Sequence, residues 1–265
     1  MHPLIDEKML ETIRTTGKTN ASLPDRIQVL ESYQLPYDRP ADQVIITGCQ
    51  ILGGLPHVLK SLSRILDGAG VSHTFLSQEY CCGNNLYRPA IKARDNQALD
   101  ECRELSREFV AQNLENAKSL GASRLVIFCS PCYPIYKYAF PGEDIVFYPT
   151  AIAEAMPPLT FPADIDYYAG CYKLHARFAP VPMDLVSTNQ VLDNIDGLNI
   201  HRISAPECCY KSEGLAHMIG SIRTKLMVHI CTGCYFQALL NLPPGSETKI
   251  IMLPELVEMA SQQKP

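Results

Sequence analysis

The chain has 265 residues, 46% of them hydrophobic and 19% charged, which is enough apolar content for a substantial core and excludes a disordered chain. Its 23 basic and 28 acidic residues leave a net charge of −5, so no overall field attracts nucleic acid or an anionic membrane surface. No apolar run approaches the roughly 20 residues that span a bilayer. The opening Met1-His-Pro-Leu-Ile-Asp-Glu-Lys lacks the basic-then-apolar layout of a signal peptide. The expectation is a cytoplasmic chain without a transmembrane segment.

Residues 1–42 are a polar lead-in without cysteine, in which Asp6 to Arg14 and Leu23 to Leu30 have helical spacing. This stretch reads as an N-terminal appendage and a candidate for docking a partner. From Gln43 the pattern turns βα. Val44 to Thr47 reads as a buried strand with Gly48-Cys49 at its end, and Pro56 to Asp67 places Val58, Leu59, Leu62, Ile65 and Leu66 at helical spacing. Gly68-Ala-Gly70 ends that helix, Val71 to Leu76 reads as a second strand, and Cys81-Cys82-Gly83 lies in the loop beyond it. A long helix is predicted from Asn96 to Leu120, then a strand from Arg124 to Phe128 whose end delivers Cys129.

Two phrases match. Ile145-Val-Phe-Tyr-Pro149 runs into a helix ending at Met156, and Ile250-Ile-Met-Leu-Pro254 runs into one ending at Ala260, each with proline in the first turn, where its missing N–H does no harm. The expected fold is α/β, with two pseudo-symmetric, Rossmann-like βα halves and cysteines at strand C-terminal ends, where parallel sheets place their ligands. The expected divisions are the lead-in at 1–42, a first domain at 43–156, a linker at 157–164 and a second domain at 165–265. Two sites facing each other across a pseudo-twofold axis would follow from such a duplication.

The cysteines repeat with the halves. Ten of the eleven form two copies of a pattern of a lone Cys, a Cys-Cys pair and a Cys-x-x-Cys: Cys49, Cys81-Cys82 and Cys129-Ser-Pro-Cys132, then Cys171, Cys208-Cys209 and Cys231-Thr-Gly-Cys234. In a cytosolic chain, which is held reducing, such cysteines point to metal or catalysis rather than to a disulfide scaffold. One Cys-x-x-Cys alone could equally be a thioredoxin-like redox pair, and one Cys-Cys alone two small buried apolar residues. Five thiolates converging twice would make two soft-metal sites, with iron–sulfur clusters the leading choice. Adjacent cysteines converge only if the backbone bends between them, which Gly83 permits cheaply, whereas Tyr210 does not easily take positive φ and the local backbone is expected to differ there. Between Cys82 and Cys129 lie 46 residues against 21 between Cys209 and Cys231, so the second half has lost much of the long helix and its site should be more open.

This layout resembles the tandem cysteine-rich CCG domains of the B-type subunit of heterodisulfide reductase, found also in related iron–sulfur subunits of lactate, glycolate and glycerol-3-phosphate oxidation systems. The resemblance implies two noncubane [4Fe-4S] clusters, one on Cys49, Cys81, Cys82, Cys129 and Cys132 and one on Cys171, Cys208, Cys209, Cys231 and Cys234, with a disulfide cleaved between them. It implies electron-transfer partners too, a ferredoxin-like iron–sulfur subunit linked to a flavoprotein. The chain itself has neither a ferredoxin cysteine run nor a Gly-x-Gly-x-x-Gly after a strand. A small disulfide or thiol is the expected substrate.

The sequence departs from the family at three places. Tyr210 replaces the second glycine, the second interval is short, and Gly170-Cys171-Tyr172 stands where the family often has Pro-Cys-His. His175, one helical turn beyond Cys171, is the nearest substitute and a candidate catalytic proton donor, because imidazole titrates near neutrality. Lys173, Arg177 and Lys211 are candidates to hold anionic substrate groups or to offset cluster charge. Tyr80, Tyr133, Tyr172, Tyr210 and Tyr235 are expected to pack around the clusters, and Cys102 to sit in the core. Two further functions compete: an electron-transfer iron–sulfur subunit of a quinone-linked hydroxy-acid or polyol dehydrogenase, and a structural zinc protein in which a set of five would leave one cysteine spare. Two complete cysteine sets favour the reductase.

Overall fold

The apolar runs that end in cysteines become short parallel strands. In the computed structural model, which describes residues 1–263, β1 (Gln43–Ile46), β2 (His73–Phe75), β3 (Arg124–Ile127) and β4 (Asp144–Phe147) form one sheet in the order β2-β1-β3-β4. The strands β5 (Leu159–Tyr168), β6 (Ile195–Ile203), β7 (Leu226–His229) and β8 (Lys249–Met252) form a second in the order β6-β5-β7-β8. Every pairing in both is parallel. The first strand of each set lies inside its sheet, with the second on one side and the third and fourth on the other, so the duplication read from the cysteines is a duplication of topology. Val44, Ile45 and Ile46 of β1 and Leu125, Val126 and Ile127 of β3 are all buried, as expected of strands covered on both faces.

The lead-in carries α1 (Glu7–Thr16) and α2 (Arg26–Ser32); α3 (Ile51–Gly54) and α4 (Pro56–Gly68) join β1 to β2. A 3-10 turn at Asn84–Leu86, α5 (Tyr87–Ala93) and α6 (Asn96–Ser119) join β2 to β3, and α7 (Cys132–Ala139) joins β3 to β4. Then α8 (Tyr148–Ala155) leads to β5, α9 (His175–Phe178) and α10 (Val186–Asp193) precede β6, α11 (Ser212–Gly220) precedes β7, α12 (Thr232–Asn241) precedes β8, and α13 (Leu253–Gln262) follows. The connection of 24 helical residues in α6 shrinks to 9 in α11, the shortening that the cysteine intervals announced. Among the described residues no helix is long and apolar enough to cross a membrane.

Contacts divide the chain into two units. One holds residues 1–60, 71–148 and 175–183; the other holds 61–70, 149–174 and 184–263. These units interleave along the chain, whereas the sequence placed its boundaries at 42, 156 and 164. The lead-in packs within the first unit: Leu10 and Ile13 of α1 and Leu30 of α2 are buried, and Asp6 and Asp25 cap their helices by accepting from Met9 N–H and Gln28 N–H.

In the second unit, Asp166 ties β5 to the segment before β7. Its buried carboxylate accepts from the backbone N–H groups of Arg223 and Thr224, both at 2.8 Å, and pairs with His201 of β6. Burial alone would raise this carboxyl, but the bonds from His201, Arg223 and Thr224 together outweigh it and hold the group below its ordinary value. A carboxyl depressed in the folded state stabilises fully above its unfolded value of about 3.9, and that contribution is lost as the pH falls through the folded value. Asp166→Asn is therefore expected to lower stability by ~2 kcal/mol at neutral pH. In urea unfolding, the gap from wild type should shrink as the pH drops below about 4; a gap that is constant with pH would contradict this role.

Candidate metal centres

In a parallel sheet of order 2-1-3-4, the connections after the first and third strands diverge, opening a crevice at their carboxyl ends. Cys49 and Cys129 follow those two strands in the first sheet, and Cys171 and Cys231 follow them in the second. Glycine precedes the lone cysteine in both loops, required by close approach at Gly48 and by positive φ at both Gly48 and Gly170. Gly48 has φ +87°, and a Cβ built on it would lie 2.6 Å from Cys129 Cβ; Gly170 has φ +97°, and its Cβ would lie 3.4 Å from both Cys231 Cβ and Cys234 Sγ.

The structure brings sulfurs of each predicted set into contact in pairs. In the first, Cys49 Sγ lies 3.3 Å from Cys81 Sγ, and Cys132 Sγ lies 3.1 Å from Cys82 Sγ. Interactions of Cys81 with Cys82 and of Cys132 with Cys129 complete the chain of contacts. In the second, Cys209 Sγ lies 3.4 Å from Cys234 Sγ, and Cys171–Cys208, Cys208–Cys209 and Cys234–Cys231 interactions link the rest. None of these cysteines is in a disulfide. Cys82, accepting from Cys132 and Cys81, is pulled down to about 6, whereas Cys132, donating to Cys129 and Cys82 in a buried setting, is pushed well up. Cys209 is raised to about 12 by donating to Cys208, against the opposing bond with Cys234.

Backbone devices hold the first set. Gly83 takes φ +77° directly after the Cys-Cys pair and donates its N–H to Cys81 Sγ at 3.3 Å. From α6, the Ser106 hydroxyl donates to the carbonyl of Cys82 at 2.7 Å, and the Phe109 ring lies against Gly83. At the second pair Tyr210 does not adopt positive φ; Tyr172, next to Cys171, does so instead, at 52°. Gly214, at the start of α11, packs against the carbonyl of Cys208, where a Cβ would lie 2.3 Å from the oxygen without relief.

Below Cys49 and Cys81 sits a buried ion pair that the sequence did not single out. Glu79 accepts from Arg26 at 3.0 Å, from Thr47 N–H at 2.9 Å and from Gly48 N–H at 2.6 Å. Arg26, from the lead-in, also donates to the carbonyl of Leu76 and the hydroxyl of Thr47. The carboxylate thereby fixes the two residues before Cys49 while standing two residues before Cys81. The lead-in reaches the thiols directly as well: Cys81 N–H donates to Gly17 O at 2.7 Å, and Thr19 Oγ1 lies 3.5 Å from Cys49 Sγ.

Other expected site residues are placed differently. Residues 171–174 are not helical, so His175 does not stand one helical turn above Cys171; it opens α9 in the first unit, buried with its ring 6.1 Å from that of Phe178. Lys173 and Lys211 both pair with Glu207, at 3.6 Å and 3.1 Å, and Arg177 is exposed on α9. Tyr133 and Tyr235 are buried beside their Cys-x-x-Cys helices, but Tyr210 is 56% exposed, so it does not seal the second set; its ring lies over Gly233. Cys102 is a core residue, with burial raising its thiol to about 11.

Comparison with known proteins bears on the same residues. Residues 44–134 match the CCG cysteine-rich domain family. A stretch of 123 residues is 28% identical to the D-type subunit of the dihydromethanophenazine:CoB–CoM heterodisulfide reductase of Methanosarcina mazei, covering 45% of this chain and 28% of that protein. Another of 130 residues is 28% identical to the EtfAB:quinone oxidoreductase of Syntrophomonas wolfei subsp. wolfei, covering 44% of this chain and 16% of that protein. The matched stretches thus amount to less than a third of these relatives' lengths. A hypothetical protein from Helicobacter pylori shares the fold, with a TM-score of 0.53 at 14% identity over 98% of this chain and 54% of its own.

Removing Glu79 would strand the Arg26 guanidinium in the interior and release two backbone donors. Glu79→Ala is expected to cost roughly 3–5 kcal/mol, measurable by urea unfolding. Thiol labelling should then show Cys49 and Cys81 reacting faster, while Cys208 and Cys209 react as in wild type. Uniform labelling of both sets would refute a local clamp.

Proposed function

We propose that this chain is an iron–sulfur subunit of a heterodisulfide-reductase-like complex, in the place of the B-type subunit. Cys49, Cys81, Cys82, Cys129 and Cys132 hold one noncubane [4Fe-4S] cluster; Cys171, Cys208, Cys209, Cys231 and Cys234 hold the other. What supports this reading is the set of sulfur contacts, Cys49 with Cys81, Cys82 with Cys132 and Cys209 with Cys234, at the strand ends of two sheets of one topology, with none of these cysteines in a disulfide. As thiols they are weak donors with little to offer one another, and as thiolates they repel; a soft, multiply charged centre resolves both. Zinc would take four sulfurs and leave the fifth without a use.

Reduction of a disulfide takes two electrons and two protons and yields two thiols; the reverse reaction releases them. Bound clusters supply one-electron storage beside a substrate sulfur. The chain's own residues do the rest. Glu79, Gly83 and Ser106 fix the cysteine backbone, Tyr133 and Tyr235 keep water from the sulfurs, and Thr19 offers its hydroxyl to Cys49. His175 is the proposed proton source, on the helix α9 that packs against α7, which Cys132 opens. Electrons come from a ferredoxin-like iron–sulfur subunit and a flavoprotein. The likeness to the heterodisulfide reductase of Methanosarcina mazei supports the sulfur chemistry. The likeness to EtfAB:quinone oxidoreductase favours a second reading, electron transfer in a quinone-linked dehydrogenase without disulfide chemistry.

Protein purified without oxygen should carry about eight irons and matching sulfide per chain, and Cys82→Ser should leave about four. A paramagnetic signal that changes on adding a thiol substrate would support the reductase. Full iron with a signal indifferent to thiols would favour the second reading, and zinc in place of iron would sink both.

A further inference from the structure

The second thiol set has a neighbour that its twin lacks. His229 stands two residues before Cys231 and ends β7, and the residue two before Cys129, ending β3, is Ile127. Both side chains are completely buried. The fold thus accepts an aliphatic residue at this position, and an imidazole there needs a reason.

Neither ring nitrogen of His229 has a hydrogen-bond partner among the described residues. A neutral imidazole carries one N–H donor and one bare nitrogen, and burying both unmet is unfavourable unless something outside the polypeptide meets them. The ring is flanked by aromatic residues: Tyr168 with its centroid at 5.7 Å and Tyr235 edge-on at 6.5 Å. In the sequence, Cys231 and Cys234 follow His229 closely. His229 ends β7 and Cys231 follows with one residue between, so the imidazole and the thiol leave the same strand end.

We infer that His229 is a positioning residue whose ring N–H donates a hydrogen bond to a sulfur of the second centre, raising its reduction potential above that of the first. The inference rests on the iron–sulfur reading of the two sets. Reduction adds negative charge to the cluster sulfurs, so a fixed donor favours the reduced form. The first set has Ile127 at the equivalent position and receives no such bond there. Two centres of unequal potential would fill in order, the second before the first, as an electron arrives.

The test is a redox titration of the holoprotein followed by electron paramagnetic resonance, with iron and sulfide measured on each sample. In His229→Leu, one of the two signals should shift at least tenfold toward the oxidised form, about 59 mV for one electron, while the other stays in place. His229→Gln, which keeps a neutral N–H donor, should recover part of the shift. A His229→Leu protein with full iron and both signals at wild-type potentials would overturn the proposal. A measurement on the unmutated protein removes dependence on that variant's folding. With ¹⁵N-histidine incorporated, one signal should show a histidine nitrogen coupling, and no such coupling on either signal would also overturn it. Wild-type protein without iron in the second set would overturn instead the cluster reading on which the inference rests.

Discussion

The parallel pairing of β1 with β3, repeated as β5 with β7, is the constraint from which both thiol sets follow. Parallel neighbours end on the same side, so whatever residue follows each strand arrives at the same crevice. In each sheet one of those strands delivers a lone cysteine and the other the first cysteine of a Cys-x-x-Cys. The residue before the lone cysteine takes positive φ in both sheets, at Gly48 and Gly170, and at Gly48 the approach to Cys129 also leaves no room for a side chain. The strand that flanks the crevice in each sheet is followed by the Cys-Cys pair. A sheet of any other order would scatter these residues.

The two centres are variations on that plan, and the variation is one of enclosure. Over the first set, α6 supplies Ser106 to the Cys82 carbonyl, Phe109 to Gly83, and Asn113 to both backbone groups of Tyr80. The nine residues of α11 are too few to do this. Four of the first five cysteines are buried, against three of the second five, with Cys171 and Cys208 partly open. The second set is therefore more open to solvent than the first.

Much of this was legible in the sequence because it is periodic. Short buried strands, their order of appearance, proline in the first turns of α8 and α13, and the doubled cysteine pattern all repeat at fixed places, and repetition separates signal from accident. What stayed hidden depends on residues far apart in the chain. Glu79 looks like one more charge before Cys81 until Arg26, 53 positions earlier, is found beside it. His229 reads as a strand residue, and only complete burial without a hydrogen-bond partner among the described residues marks it. His175 reads as one helical turn from Cys171 because nothing local reveals that Tyr172 takes positive φ and keeps the chain out of a helix there.

The lead-in shows the same limit from the other side. Its lack of cysteine and its polar composition read as an appendage, yet it forms one wall of the first set. Gly17 ends α1 with φ +72°, and a Cβ there would lie 2.8 Å from the carbonyl oxygen of Glu79, so the turn is pressed against the segment that leads to Cys81. The carbonyl of Gly17 takes the Cys81 N–H, Thr19 faces Cys49, and Arg26 neutralises the carboxylate that holds Thr47 and Gly48. Deleting residues 1–42 would therefore remove a buried cation and leave Glu79 charged in the interior, with the protein around Cys49 opened to water. Any effect of such a deletion on a partner's affinity would be entangled with damage to the first centre. Point changes on the exposed face of α2, where Ile27 and the adjoining Tyr33 reach solvent, separate the two, because they leave Arg26 and its carboxylate in place.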